Sequence, residues 1–145
     1  AVGGDLYAGG FLGMDNLLPV QLLRREGERA VVRLAAGAEL EVPVAGELES
    51  GRLTLAFRAE CVCLQDAAAG KPAPASGLLS VPGTVEFITN LGSRVVYEVR
   101  LADGSVVCAQ AQRTDRAREF ARGQGLTVSL RGDSCVLFAE SGDGA

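Results

Sequence analysis

The chain has 145 residues, enough for one ordinary domain or two very small lobes, and 48% of them are apolar, ample for a core. Its 18 Asp and Glu against 14 Lys and Arg give a formal net charge of -4, which disfavours a nucleic-acid partner, because binding to phosphate backbones is driven by a surplus of cations that releases counterions. The absence of His and Trp removes Ser-His and Cys-His catalytic arrangements and the commonest metal ligand, and leaves few stacking platforms for single strands.

In chain order, Asp5 to Gly13 reads as a strand broken by Gly9 and Gly10. Asn16 to Leu23 is a second apolar run, in which Pro19 predicts an edge or irregular pairing, and Arg24 to Arg29 is a charged turn. Ala30 to Leu34 has period two, Gly37 turns the chain, and Leu40, Val42 and Val44 alternate with Glu39, Glu41 and Pro43. Leu53, Leu55 and Phe57 alternate with Thr54, Ala56 and Arg58, and Cys61 to Leu64 forms a last short strand. Gln65 to Gly77, rich in small residues and proline, reads as a linker or exposed loop.

Ser80 to Gln112 reads as a twisted antiparallel meander. From Arg94 to Leu101 the alternation is strict, with Val95, Tyr97, Val99 and Leu101 on one face. A three-residue loop, Ala102-Asp103-Gly104 with Gly104 at positive φ, pairs Val99 with Val107 and Tyr97 with Ala109, turning Val107, Ala109 and Ala111 inward. A two-residue turn would bury Gln110 instead. Thr114 to Ala121 predicts a short helix with Thr114 as its N-cap.

The second half repeats the first. Leu53 to Leu64, LTLAFRAECVCL, aligns without gaps on Leu126 to Leu137, LTVSLRGDSCVL, and Leu12-Gly13 is set against Leu91-Gly92, and Gly37 against Gly104. On that alignment the first half spans 24 positions between its glycines (13 to 37) and the second 12 (92 to 104), room for an extra strand. The organisation expected is a first lobe over 1–65, a flexible linker or loop over 66–79, a second lobe over 80–140 and a disordered tail over 141–145, with each lobe a small antiparallel β unit that needs the other to bury its apolar face.

The chemistry-bearing features are few. The phosphate-cradling pattern GxxxxGK[ST] is missing, the single Lys, Lys71, being followed by Pro72. Cys61-Val62-Cys63 would put two sulfurs on one strand face, but the repeat sets Cys61 against Ser134 and Cys63 against Val136, as for replaceable packing residues, so burial is preferred to a metal site. Asn90-Leu91-Gly92-Ser93-Arg94 has the composition of a turn that can leave amides and a hydroxyl free for a small anion, although a glycine-requiring turn is the simpler reading. Glu39 and Glu41 share a face and are read as solvated rather than as a catalytic pair. No run approaches the roughly 18 apolar residues of a spanning helix and no signal peptide is recognisable, so a cytoplasmic chain with reduced thiols is expected. A start without Met is expected of a trimmed chain or an excised fragment.

GTVEFITNLGS followed by YEVRLADG resembles the glycine-valine, aromatic, leucine-glycine-serine and aspartate-glycine pattern of the transport-associated OB (TOBE) domain, with similarity running from Phe11 to Phe138. The resemblance implies an all-β fold of two OB-like small antiparallel barrels packed in tandem, with one short helix in the second lobe. It implies a C-terminal accessory and regulatory domain of the ATP-binding subunit of a bacterial ABC importer, acting in subunit dimerisation and in sensing a ligand or partner. The implied partners are a second copy of the subunit, an upstream ATPase domain and importer membrane subunits, with a small anion as a candidate ligand, at the cytoplasmic face of the inner membrane. No cofactor is implied, and this chain is not itself expected to be an enzyme. Arg58-Ala59-Glu60 corresponds to the family's arginine-proline-glutamate motif, with Ala in place of Pro, and Arg131-Gly132-Asp133 occupies the equivalent place in the second lobe. Asn16, Arg58, Glu60, Asn90, Gly92, Ser93, Arg94, Arg131 and Asp133 are therefore the candidate ligand-binding or interface residues; the bland alternative for the arginines is an Arg-carboxylate contact shaping a strand corner. The competing function is a free-standing binder of a small oxyanion such as molybdate, although the serine-alanine-arginine-asparagine motif of such proteins is not found here.

Overall fold

The computed structural model describes residues 14–44, 52–70, 75, 77–112 and 119–139. The strand expected over Asp5 to Gly13 lies outside them, as does most of the helix expected over Thr114 to Ala121; Glu119, Phe120 and Ala121, at its end, are not helical.

Among the described residues ten strands form: β1 (Asn16–Glu26), β2 (Arg29–Leu34), β3 (Glu39–Pro43), β4 (Arg52–Phe57), β5 (Cys63–Asp66), β6 (Leu78–Asn90), β7 (Arg94–Leu101), β8 (Val106–Gln112), β9 (Gly125–Arg131) and β10 (Val136–Ala139). They make two antiparallel, curled five-stranded sheets, ordered β10-β4-β1-β2-β3 and β5-β9-β6-β7-β8. The second order repeats the first, strand for strand. Each sheet takes its outermost strand from the other half of the chain: after β4 the chain turns through a 3-10 corner at Ala59–Cys61 and pairs β5 with β9, and after β9 it turns through Gly132–Ser134 and pairs β10 with β4.

The alternation of the sequence explains the strands. In β7 the inward residues Val95, Tyr97, Val99 and Leu101 are buried while Arg94 and Arg100 are exposed. The β7–β8 hairpin has the expected register, Val99 opposite Val107 and Tyr97 opposite Ala109, closed by Gly104 at φ +94°. The β2–β3 turn repeats it, with Gly37 at φ +95° and matching bonds from Leu34 N–H to Ala38 O and from Leu101 N–H to Ser105 O, each 2.8 Å.

The inward faces meet in one continuous core, in which Leu53, Leu55 and Phe57 of β4 join Tyr97 and Val99 of β7 and Leu126 and Val128 of β9. Fully burying a side chain of this kind contributes about 1.5–3 kcal/mol, so the shared core binds the two sheets into one unit.

Two expectations are corrected. The counterpart of Gly92, which turns β6 into β7, is Gly27, which turns β1 into β2, with φ +81° and +65°; Gly13 is not that landmark, and among the described residues neither sheet has an extra strand. Pro19 lies in β1, an interior strand, but at a place where β4 is its only neighbour, because the β2 ladder begins at Val20. A residue without an N–H is tolerated there for the same reason that it is tolerated at an edge.

Candidate functional site

The two strand corners carry the repeated Arg-x-acid motifs and are built alike. Arg58 and Arg131 are both extended, with φ/ψ of -92°/149° and -88°/134°, and each corner closes with an N–H to carbonyl bond, Val62 to Ala59 and Cys135 to Gly132. What anchors each corner differs. Ala59 N–H donates to Asp15 Oδ2 at 2.8 Å, whereas Gly132 N–H donates to the Gly77 carbonyl at 2.7 Å. The Arg-carboxylate contact considered for the first corner is not made: Arg58 and Glu60 are both exposed, and neither side chain has a hydrogen-bond or ion-pair partner among the described residues. Arg131 is likewise exposed. Asp133 does meet an arginine, but it is Arg29 of β2, at 2.9 Å, which also lies 3.3 Å from Glu41 and whose pKa is raised chiefly by the Asp133 bond. Exposed pairs of this kind stabilise little.

Asn16, a candidate ligand residue, is 3% exposed and already engaged, its side-chain amide bonding both the N–H and the carbonyl of Cys108 on β8. Glu39 and Glu41 are each turned to an arginine, Arg33 at 3.4 Å and Arg29 at 3.3 Å, so they do not converge as a carboxylate pair.

Asn90, Gly92, Ser93 and Arg94 form the tip of the β6–β7 hairpin, where Leu91 N–H donates to the Arg94 carbonyl at 2.9 Å. All four are exposed, and three large apolar side chains accompany them: Phe87, Ile88 and Leu91, 50%, 37% and 47% exposed. Arg122 lies over the Phe87 ring, 5.4 Å from its centroid, and its Nε donates to the Glu86 carbonyl at 3.0 Å. The tip is thus apolar with a basic border. It does not join Arg131 and Asp133, because Arg131 pairs with Leu78 at one end of β6 and Asn90 ends the other, roughly 40 Å of strand away.

Sequence reasoning found the hairpin turn but missed Phe87, Ile88 and Arg122. The signal available was the adjacent pair Phe87-Ile88, which breaks period two at a bulge between Val85 and Phe87.

A cleft of about 390 Å³ opens between β5 and β8, lined by Val62, Cys63, Leu64, Ala109, Gln110 and Phe120 among others. Among the described residues no Lys or Arg lines it, and none offers an anion a charge. Cys61 sits in the 3-10 corner rather than on a strand with Cys63, which is exposed, and among the described residues no three His, Cys, Asp or Glu side chains converge. Cys135 is buried, and its thiol is pushed up to about 12, first by loss of solvent and then by nearby Cys61; burial, and then Glu98 and Asp15, also raise Cys108.

Two curled antiparallel sheets that exchange their end strands define a tandem OB-like fold. Residues 55–138, more than half of the chain, match the TOBE domain family, and the chain belongs to that family. It is similar to the spermidine/putrescine import ATP-binding protein PotA of Ruegeria pomeroyi, 33% identical over 137 residues, and to PotA 1 of Pseudomonas aeruginosa, 33% identical over 138 residues. In both cases the match covers 94% of this chain and 35% of the relative, so the chain spans about a third of the length of the curated relatives it matches. Among solved structures, the cytoplasmic molybdate-binding protein ModG with molybdate bound aligns with a TM-score of 0.75 over 89% of this chain and 99% of that one, at 17% identity, which establishes likeness of fold.

Proposed function

We propose that this chain is the C-terminal accessory domain of an ABC importer's ATP-binding subunit, of the polyamine-importing kind. The observation that carries this reading is the 33% identity, over 94% of the chain, to spermidine/putrescine import ATP-binding proteins. In that role the domain helps two copies of the subunit associate and responds to a ligand or partner protein, at the cytoplasmic face of the membrane and beside the importer's membrane subunits. Chemistry is left to an ATPase region of the parent: this chain has neither a phosphate-binding loop nor a His. The exposed hairpin tip at Asn90, Gly92, Ser93 and Arg94 is the contact surface between copies, with Arg58 and Glu60 as a second candidate.

The likeness to ModG favours a second reading, binding of a small oxyanion. Against it stand the cleft, whose described lining carries no cation, and the engagement of Asn16 by Cys108. Calorimetric titration with molybdate and with Mg-ATP separates the readings. The accessory-domain reading expects no heat of binding from either; micromolar binding of molybdate supports the second reading, and micromolar binding of Mg-ATP contradicts both.

A further inference from the structure

The outer edge of β6 has a self-complementary pattern. β9 follows β6 only to Thr84, after which the Val85 N–H and carbonyl are bonded by Gln124 O and Gly123 N–H. Arg122 Nε then takes the Glu86 carbonyl. Beyond that point β6 has β7 on one side, and among the described residues nothing on the other.

Which backbone groups face the open side follows from the hairpin. Leu91 is bonded to Arg94, and the ladder runs Asn90 opposite Val95, Thr89 opposite Val96, Ile88 opposite Tyr97. Hydrogen-bonded and non-hydrogen-bonded pairs alternate, so Thr89 bonds inward to β7 while the N–H and carbonyl of Ile88 and Asn90 point outward. Native edges are ordinarily guarded by charge or proline. β3 is guarded in that way by Glu39, Glu41 and Pro43, and on β8 Asn16 covers Cys108. Phe87-Ile88-Thr89-Asn90-Leu91 contains neither a charge nor a proline, Arg122 reaching only its Phe87 end, and its apolar side chains are exposed.

We propose that two copies of this chain pair edge to edge along β6, antiparallel about a two-fold axis at Thr89. In that register Ile88 of each copy exchanges hydrogen bonds with Asn90 of the other, four in all, using the outward groups of this segment that have no partner among the described residues. Phe87 of each copy faces Leu91 of the other on the same side of the joined sheet, and the two Thr89 side chains meet as a close pair. An axis at Ile88 would instead set Asn90 against Glu86, whose carbonyl Arg122 already holds. This deepens the two-copy reading above and rests on it. A strand of this length buries less than the roughly 1,200 Å² of a stable interface, so the chain alone associates weakly, and the remaining two thirds of a parent subunit, which its relatives possess, would strengthen the contact.

Sedimentation of the 145-residue chain and three variants over a range of concentrations is the test. Phe87→Glu and Leu91→Lys should each weaken association about tenfold or more, and the double variant, which sets each Glu against a Lys across the axis, should recover to within about threefold of wild type. Both positions are exposed, so folding survives the changes. As a readout independent of charge, Thr89→Cys in a Cys63→Ser background should form an intermolecular disulfide on mild oxidation, and Val106→Cys in the same background should not. Association that neither single variant weakens, or no Thr89 cross-link in a chain that does associate, overturns the β6 pairing and leaves the two-copy reading standing. No association up to about millimolar concentration overturns both.

Discussion

Asn16 and Cys108, 92 residues apart, are joined like two rungs of a ladder: the Asn16 amide accepts the Cys108 N–H at 2.7 Å and donates to the Cys108 carbonyl at 2.9 Å. A side chain on β1 of one sheet thereby completes the edge strand of the other. Replacing Asn16 with Ala leaves a backbone donor and acceptor of a half-buried strand without partners, at a cost of about 2–3 kcal/mol. Asn16→Asp should cost at least as much, because a carboxylate cannot donate to the Cys108 carbonyl and would be a buried charge. Urea unfolding measures both; an Ala variant within about 0.5 kcal/mol of wild type would show that the pair is incidental.

The two corners predict opposite tolerances. A Cβ on Gly132 would lie 1.9 Å from the Glu41 carbonyl oxygen, a backbone atom of β3, so Gly132→Ala must displace that strand and should cost about 3 kcal/mol. The equivalent Ala59 carries its methyl group without difficulty. Gly92→Ala, where space is open but φ is +81°, should cost only about 1 kcal/mol. Shifts in thermal midpoint give the ranking, and a Gly132→Ala protein as stable as Gly92→Ala would contradict the close approach.

The thiols should react in order of exposure. Cys63 is exposed and should be alkylated first; Cys135, buried and with its pKa pushed up to about 12, should be last. The same shift has a pH signature. A thiol whose folded pKa lies above its unfolded value, about 8.5, adds stability that is intact below pH 8.5 and is lost as pH rises towards 12. Stability should therefore fall between about pH 9 and 12, and Cys135→Ala should flatten that fall. Mass spectrometry during timed alkylation, and denaturation at stepped pH, are the measurements.

Much of the fold was legible because its signals are local. The strict alternation from Arg94 to Leu101 and the Asp103-Gly104 turn determine the β7–β8 register without help from distant residues. The gapless match of 53–64 with 126–137 likewise corresponds to strand, corner and strand in both halves. What the match does not contain is pairing: nothing in Cys63–Asp66 names β9 as its neighbour, so the exchange of end strands is a tertiary fact. The misplaced Gly13 landmark arose because a Leu-Gly dipeptide is a weak marker, whereas the true counterpart, Gly27, sits in a charged run. At the candidate site, the hairpin turn was readable from Gly92. The partners of Phe87 and Asn16, Arg122 and Cys108, were not, since each contact joins segments far apart in the chain.

The role proposed for this chain is that of the accessory end of an importer's ATP-binding subunit. The most direct measurement replaces the corresponding third of the Ruegeria pomeroyi relative with this chain and follows spermidine uptake in cells lacking their own copy of that subunit. The chimera should restore uptake, a subunit truncated before this region should not, and Phe87→Glu in the chimera should lower uptake. A chimera expressed and folded as well as the intact relative, yet transporting no better than the truncated subunit, would contradict it.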